Sequence, residues 1–408
     1  MKRVVVTGMA GISPIGQGWD SVSQALQSGL SGISYMEDWD KYEGLETRLG
    51  APVKDFEKPA HYNRKRVRSM GRVSLMAVRA SEIALEDAGL LDDPILKSGA
   101  VGVSYGSSAG TPSAVADFGN MLINHRTDGL NATSYIKMMS HTAAVNIGVF
   151  FGLCGRVYTT SSACTSGSQG IGYAYEAIRN GSQTIMVAGG AEELCATEAA
   201  VFDTLYATST KNDTPELSPR PFDRNRDGLV IGEGAGTLIL EEYEHAIARG
   251  ARVYAEVAGF GTNSDGSHVT QPQSATMQVA LQQAIAQAGV ETSEIGYVSA
   301  HGTATDRGDI AESHATRNAF GRAVPISSLK SYTGHTLGAC GALEAWASIQ
   351  MMRNGWFHPT INLAEVDSDC AELDYIQGSG KHIDTEYVMS NNFAFGGINT
   401  SLIFKRRI

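Results

Sequence analysis

The sequence predicts an α/β fold built from two similar halves. Strand-like and helix-like segments alternate along the chain, which is the pattern of α/β architectures. A chain of 408 residues is too long for one small core. Segments of the first half also reappear, in order, in the second.

The strand candidates run Arg3–Thr7, Ala100–Tyr105, Arg156–Thr160, Thr184–Ala188, Thr237–Glu241, Val253–Gly259, Tyr297–Ala300 and Ile326–Leu329. The clearest helix is Ser74–Leu90, where Leu75, Val78, Ile83 and Leu85 form an apolar stripe and Gly89 ends it. "ALEDAGL" followed by "AVGVSYGSSAG" is echoed by "AIAQAGV" followed by "IGYVSAHGTAT". "CTSGSQGIGYAYEAIRNG", from Cys164, is echoed by "HTLGACGALEAWASIQMMRNG", from His335. The expected division is residues 1–250, carrying Cys164, and 251–408, carrying His301 and His335.

A net charge of −11 argues against a nucleic-acid partner. No apolar run reaches membrane-spanning length, and Gly and Pro break the N-terminal one, so no membrane association or signal peptide is expected. The five cysteines are odd in number and scattered without a CxxC pair, which points to a reducing cytoplasm and away from a disulfide framework or structural zinc. "VVVTGMAGISPIG" lacks the spacing of a dinucleotide-binding loop, and no phosphate-binding loop is present.

Cys164 sits in "TTSSACTSGSQGIG", between a strand and a helix, among small residues. A helix mouth favours a thiolate and can hold an oxyanion; the other reading is a small buried hydrophobe. His301 in "VSAHGTATDRGD" and His335 in "KSYTGHTLGACGALEA" follow strands, where α/β folds gather their ligand sites. Two neutral imidazoles aimed at one oxygen would stabilise an enolate. Glu344 falls on an otherwise apolar helix and needs a partner if buried, and Lys330 is the natural one. "FAFGGIN" reads either as a mobile lid or as a hairpin before the last strand. "RKRVRSMGR", Arg64–Arg72, is the densest basic run and reads either as a dock for an acidic partner or as a solvated helix start.

Together these segments, with "GGAEE", "STKNDTPELSPRPFDRNRDG" and "NNFAFGGIN", resemble the β-ketoacyl-[acyl-carrier-protein] synthases, condensing enzymes of the thiolase-like fold, over nearly the whole chain. The second His, within "TGHTLGA", is similar to the type I/II elongating synthases rather than to the initiating enzymes or the thiolases. The resemblance implies a duplicated five-layer α-β-α-β-α fold and a homodimer whose acyl tunnel ends near the dimer interface. It implies that Cys164 carries the acyl group and that His301 and His335 hold the malonyl thioester oxygen. Lys330 and Glu344 would order the second His and its surroundings, and Thr303 and Thr305 would contact the pantetheine arm. Phe395 would gate the site and share an oxyanion hole with Cys164, with Phe393 flanking it. Acyl carrier protein would dock on Arg64, Lys65 and Arg68, whereas Arg66 has no family counterpart. No metal is implied, and no cofactor beyond the carrier's phosphopantetheine.

The chain departs from the family at three places. Ala394 replaces a glycine, at a cost of about 1 kcal/mol if that position needs positive φ. Thr305, Asp306 and Arg307 replace a Thr-Pro pattern, and Ala109 stands where some relatives carry a bulky tunnel side chain. These departures keep open a ketosynthase of a specialised type II polyketide or aryl polyene pathway, paired with a chain-length-factor subunit. A non-catalytic chain-length subunit is disfavoured because such subunits typically lack the Cys, and a metal-binding protein because no ligand pair has zinc-like spacing.

Overall fold

The computed structural model describes residues 1–406; the last two residues of the expected second half, 407–408, lie outside the described residues. The main sheet has twelve strands, of which two, Gly16–Gln17 and Asp374–Tyr375, are two residues long; the other ten are β1 (Val4–Ser13), β2 (Val101–Gly106), β3 (Val157–Thr160), β4 (Ile185–Glu192), β5 (Gly234–Glu242), β6 (Ala255–Ser264), β7 (Ile295–Ser299), β8 (Pro325–Ser327), β9 (Tyr387–Ala394) and β10 (Ile398–Lys405). Five helices pack on them: α1 (Arg72–Asp87), α2 (Ser166–Arg179), α3 (Ser274–Ala288), α4 (Asp306–Phe320) and α5 (Cys340–Asn354).

The expected strands are present, with their ends moved by a few residues. Ile326–Leu329 stops at Ser327, because Leu329 opens the short helix Lys330–Thr333. The predicted helix Ser74–Leu90 begins at Arg72 and ends at Asp87, and Gly89 follows it at φ +67°, the left-handed position where glycine stops helices.

Outward from the centre, the first half runs β1-β5-β4-β2-β3 and the second β6-β10-β9-β7-β8. The second order is the first with five added to each number. Pairing directions repeat too: the two inner contacts of each half are antiparallel and the two outer ones parallel. Even the bulges recur, between Val6 and Gly8 in β1 and between Val257 and Gly259 in β6. Both glycines are needed for close helix approach: a Cβ on Gly8 would lie 2.2 Å from the Ala84 carbonyl of α1, and one on Gly259 2.3 Å from that of Ala284 in α3. The face α1 buries is accordingly centred on Val73, Met76, Ala80 and Ala84, while Leu75 and Ile83 of the expected stripe are only partly buried.

Strand alternation divides the side chains among three cores. Val187 and Ile239 point out to α1. Met186, Leu238 and Leu240 point inward to α2 and α5, which also receive Val388, Leu402 and Phe404 of the second half. Met389 and Ile403 point outward to α3 and α4. The layers are therefore α1, sheet, α2 with α5, sheet, α3 with α4, as the resemblance implies. Among the described residues no helix is long and apolar enough to cross a membrane.

Candidate active site

Cys164 lies in a single 3-10 turn, Ala163–Thr165, between the end of β3 and the start of α2. The turn is strained, since Ala163 has φ +49°. Side chains pin it: Thr165 Oγ1 donates to the Ser162 carbonyl at 2.8 Å, and Ser166 Oγ to the Ala163 carbonyl at 2.7 Å. The same device precedes α5, where the turn Leu337–Ala339 starts from Leu337 at φ +45°. The turn counterpart of Cys164 is therefore Gly338, three residues beyond the His335 that the sequence echo aligned with it.

Cys164 is only 4 % exposed, so the expectation of an open helix mouth is corrected. Burial pushes its thiol up to about 11, against the pull of the Lys330 cation and of the Phe395 and Cys164 backbone N–H groups. The expected resting thiolate is corrected with it: desolvation outweighs the helix terminus. A cleft of about 630 Å3 reaches the sulfur, lined by His301, His335, Thr303, Thr305, Phe393 and Phe395 among others.

His335 Nε2 stands 3.0 Å from Cys164 Sγ, and the Leu337 N–H donates to His335 Nδ1 at 3.2 Å. The hydrogen-bond network thus assigns the His335 proton to Nε2. His301 sits 5.1 Å away, centroid to centroid, edge to face. Its Nδ1 meets the Lys330 ammonium at 3.2 Å, and an ammonium only donates, so the His301 proton is also on Nε2. Burial, then the Lys330 charge, holds both imidazoles well below the usual histidine range, so both are neutral.

Lys330 and Glu344 are both buried and hydrogen-bonded to each other. Lys330 contacts His301, not His335, which corrects the role drawn from the resemblance. Its chain rises from the helix following β8, on the strand next to the His301 strand β7.

Four side chains escaped the sequence reading. Asn392 Nδ2 donates to Glu344 Oε2 at 2.6 Å. Glu312 of α4 accepts the His301 and Gly302 N–H groups, each at 2.7 Å, and Asp309, one turn earlier, accepts those of Thr303 and Ala304. Their signal was the i, i+3 carboxylate spacing shortly after "HGTAT". Cys340 Sγ donates to the Cys164 carbonyl at 3.2 Å, joining the start of α5 to the nucleophile turn.

Donor atoms of Cys164, His301 and His335 come within 4.8 Å of one another, a convergence the linear spacing did not reveal. The Lys330 cation beside His301 opposes a metal there.

"FAFGGIN" is a hairpin: β9 and β10 are joined through Phe395, Gly396 and Gly397. Ala394 ends β9 paired with Ile398 and is not among the positive-φ residues, so its expected strain is absent; Gly396 and Gly397 carry the positive φ. Phe395 packs on Phe202 at 5.0 Å, and Phe393 flanks His301 at 6.0 Å. Asp306 and Arg307 line the cleft, with Asp306 3.2 Å from the buried Arg226. Ala109 is half-buried beside Glu192 and is not part of the cleft lining. Arg64, Lys65 and Arg68 are exposed on and after a short helix capped by Asn63. Arg66 instead donates to the Phe150 carbonyl at 2.7 Å and lies over the Phe150 ring.

Residues 1–246 match the family model described as "Beta-ketoacyl synthase, N-terminal domain", and residues 254–364 the corresponding C-terminal domain. The chain is 37 % identical to the 3-oxoacyl-[acyl-carrier-protein] synthase 2 of Vibrio harveyi, covering 99 % of each. It is 60 % identical to a β-ketoacyl synthase from Burkholderia phymatum STM815, with a TM-score of 0.99 and full coverage of both chains. The ishigamide ketosynthase/chain length factor is 33 % identical, with a TM-score of 0.91 and full coverage of both chains. The chain belongs to the β-ketoacyl synthase family.

Proposed function

We propose that this chain is a β-ketoacyl-[acyl-carrier-protein] synthase that condenses an acyl group held on Cys164 with malonyl-carrier in fatty-acid-type elongation. One observation carries the reading: both imidazoles accept at Nδ1, which leaves two neutral Nε2–H donors at the Cys164 sulfur and its cleft. Neutral donors fixed in a buried site suit a developing enolate oxygen better than proton abstraction.

In the first half-reaction Cys164 Sγ attacks the acyl thioester, the new thioester forms, and the pantetheine thiol leaves with the proton Cys164 gives up. In the second, the bond from the malonyl methylene to its carboxylate breaks, CO2 leaves, and the electron pair becomes an enolate held by His301 and His335. The methylene carbon attacks acyl-Cys164, and the oxyanion is received by the N–H groups of Cys164 and Phe395. Cys164 is expelled as thiolate and takes a proton from solvent. Lys330, with Glu344, orients His301. Thr303 and Thr305 receive the pantetheine arm, Phe393 and Phe395 flank the entering thioester, and Ala109, beside Glu192 and outside the open cleft, borders the deeper space taken by the acyl chain.

Acyl carrier protein docks on Arg64, Lys65 and Arg68, and the carrier's arm is the only prosthetic group required. A homodimer is supported by β3, an edge strand of the sheet with Val157 exposed. The setting is cytoplasmic, and the two catalytic halves divide near residue 250. A specialised ketosynthase paired with a chain-length factor is the second reading, favoured by the 33 % identical ishigamide protein.

The test is intact-mass measurement after incubation with short, long, polyenoic and aromatic acyl-carriers. A mass increase lost in Cys164→Ala supports the reading, and the best substrate separates the two pathways. No acylation by any of them, with or without a chain-length-factor subunit, sinks it.

A further inference from the structure

Several buried carboxyls have no part in the proposed cycle, and one of them stands apart. Glu198 is 6 % exposed, and neither of its carboxyl oxygens has a hydrogen-bond partner among the described residues. The Cys195 N–H leans toward it without reaching hydrogen-bond geometry. Burial, with Glu192, Cys195 and Glu193 adding to it, holds the acid well above the usual carboxylate range. A neutral carboxyl offers one O–H donor and a carbonyl acceptor, and leaving both unmade costs free energy.

The position of Glu198 indicates what it faces. It lies on the helix Ala196–Asp203, one turn before Phe202, and residues four apart share a helix face. Phe202 lines the Cys164 cleft and packs on Phe395. Ala199 and Phe202 share an apolar cluster with Leu337, two residues past His335. Glu192 closes the triangle, since its charge acts on both Cys164 and Glu198 while it accepts the Gly338 N–H at 3.1 Å. Glu198 thus sits behind Phe202, on the Leu337 and Phe395 side of Cys164 and beyond the residues that line the open cleft, not beside the loop of Thr303 and Thr305 that α4 holds.

We propose that Glu198 is a specificity-determining residue whose carboxyl hydrogen-bonds a hydroxyl group, alcoholic or phenolic, carried by the acyl chain away from its thioester. The proposal rests on the condensing-enzyme reading. A hydroxyl complements the carboxyl on both counts, donating to its carbonyl oxygen and accepting from its O–H. A plain hydrocarbon leaves both unpaired. Sites built to hydrogen-bond a substrate hydroxyl discriminate strongly against the analogue that lacks it.

The test measures acylation of Cys164 by intact mass, using pairs of acyl-carriers of equal length, plain and terminally hydroxylated, alkyl and aryl. The readout is kcat/KM for the hydroxylated chain divided by that for the plain chain. In the wild type this ratio is expected to exceed 10 at one chain length or more, and to fall at least tenfold in Glu198→Leu. Glu198→Met, closer in shape to glutamate, supplies the same comparison if the leucine variant does not fold, and Glu198→Gln should keep the ratio within threefold. A ratio equal in the wild type and the apolar variants at every length overturns the proposal and leaves a structural carboxyl. Acylation by plain chains alone overturns it while the condensing reading stands; acylation by none overturns both.

Discussion

Lys330 Nζ lies 3.2 Å from His301 Nδ1, and this one contact decides which nitrogen of that imidazole faces the cleft. The ammonium has no lone pair to offer, so Nδ1 must accept and Nε2 must carry the proton. Glu344, held in turn by Asn392, keeps the buried ammonium charged and in place.

Lys330→Ala should therefore damage condensation more than acylation. Losing the fixed His301 donor is expected to slow condensation by roughly 10²–10³. The same variant leaves Glu344 buried without its cation, and stability should drop by about 3–5 kcal/mol. Single-turnover measurement of the two half-reactions, beside a denaturant titration, checks both. Equal slowing of acylation and condensation would contradict the assignment to His301.

The Cys164 thiol, pushed up to about 11, should alkylate slowly at neutral pH and ever faster as pH rises. Below its pKa the thiolate fraction grows about tenfold per pH unit, so near pH 8 only ~10⁻³ of the sulfur is ionised. Iodoacetamide labelling followed by mass spectrometry should give a log-rate slope near one with no plateau below about pH 10. A plateau near pH 7 would mean that the His335 Nε2–H contact at 3.0 Å offsets the burial.

Much of this architecture could be read from the chain. Matched "RNG" helix ends and strand-to-histidine junctions revealed the duplication, because a repeated fold must repeat its stops and its close approaches. What stayed hidden were distances set by packing between halves. Lys330 is nearer in sequence to His335, yet parallel pairing of β7 with β8 sets it against His301. Glu312 and Asn392 lie 11 and 91 residues from His301, and only the fold brings them to it. The choice between a thiolate and a buried thiol at Cys164 is hidden for a related reason: local sequence displays the helix start, whereas burial is assembled from α5 and β9 as well.

Carrier docking should be electrostatic and should tolerate Arg66 poorly as a substitute. All four basic residues are exposed, but Arg66 is committed to the Phe150 ring and carbonyl, which leaves Arg64, Lys65 and Arg68 free to meet a partner. Changing Arg64, Lys65 and Arg68 together to Glu should weaken acyl carrier protein binding by about tenfold or more at low salt, mainly through the on-rate, with the difference shrinking as salt screens it. Binding measured from low to moderate ionic strength checks this. Wild-type affinity that ignores salt would remove the patch from the interface.

The gate hairpin should depend on Gly397 and hardly at all on Ala394. Gly397 sits at φ +72°, and a Cβ there would come within 2.7 Å of Asp265 Cβ. Asp265 is itself anchored, donating its N–H to the Gly397 carbonyl at 2.8 Å and accepting from Asn399 Nδ2 at 2.7 Å, so it has little room to give. Gly397→Ala should cost about 1–3 kcal/mol of stability. It should also slow acylation, because the Phe395 N–H that faces Cys164 belongs to the same turn. Ala394 pairs with Ile398 in ordinary strand geometry, so Ala394→Gly restores the family glycine for a loss of only about 0.5–1 kcal/mol. Denaturant titration and acylation rates of the two variants rank them. A greater loss in Ala394→Gly than in Gly397→Ala would move the strain of the turn back to position 394.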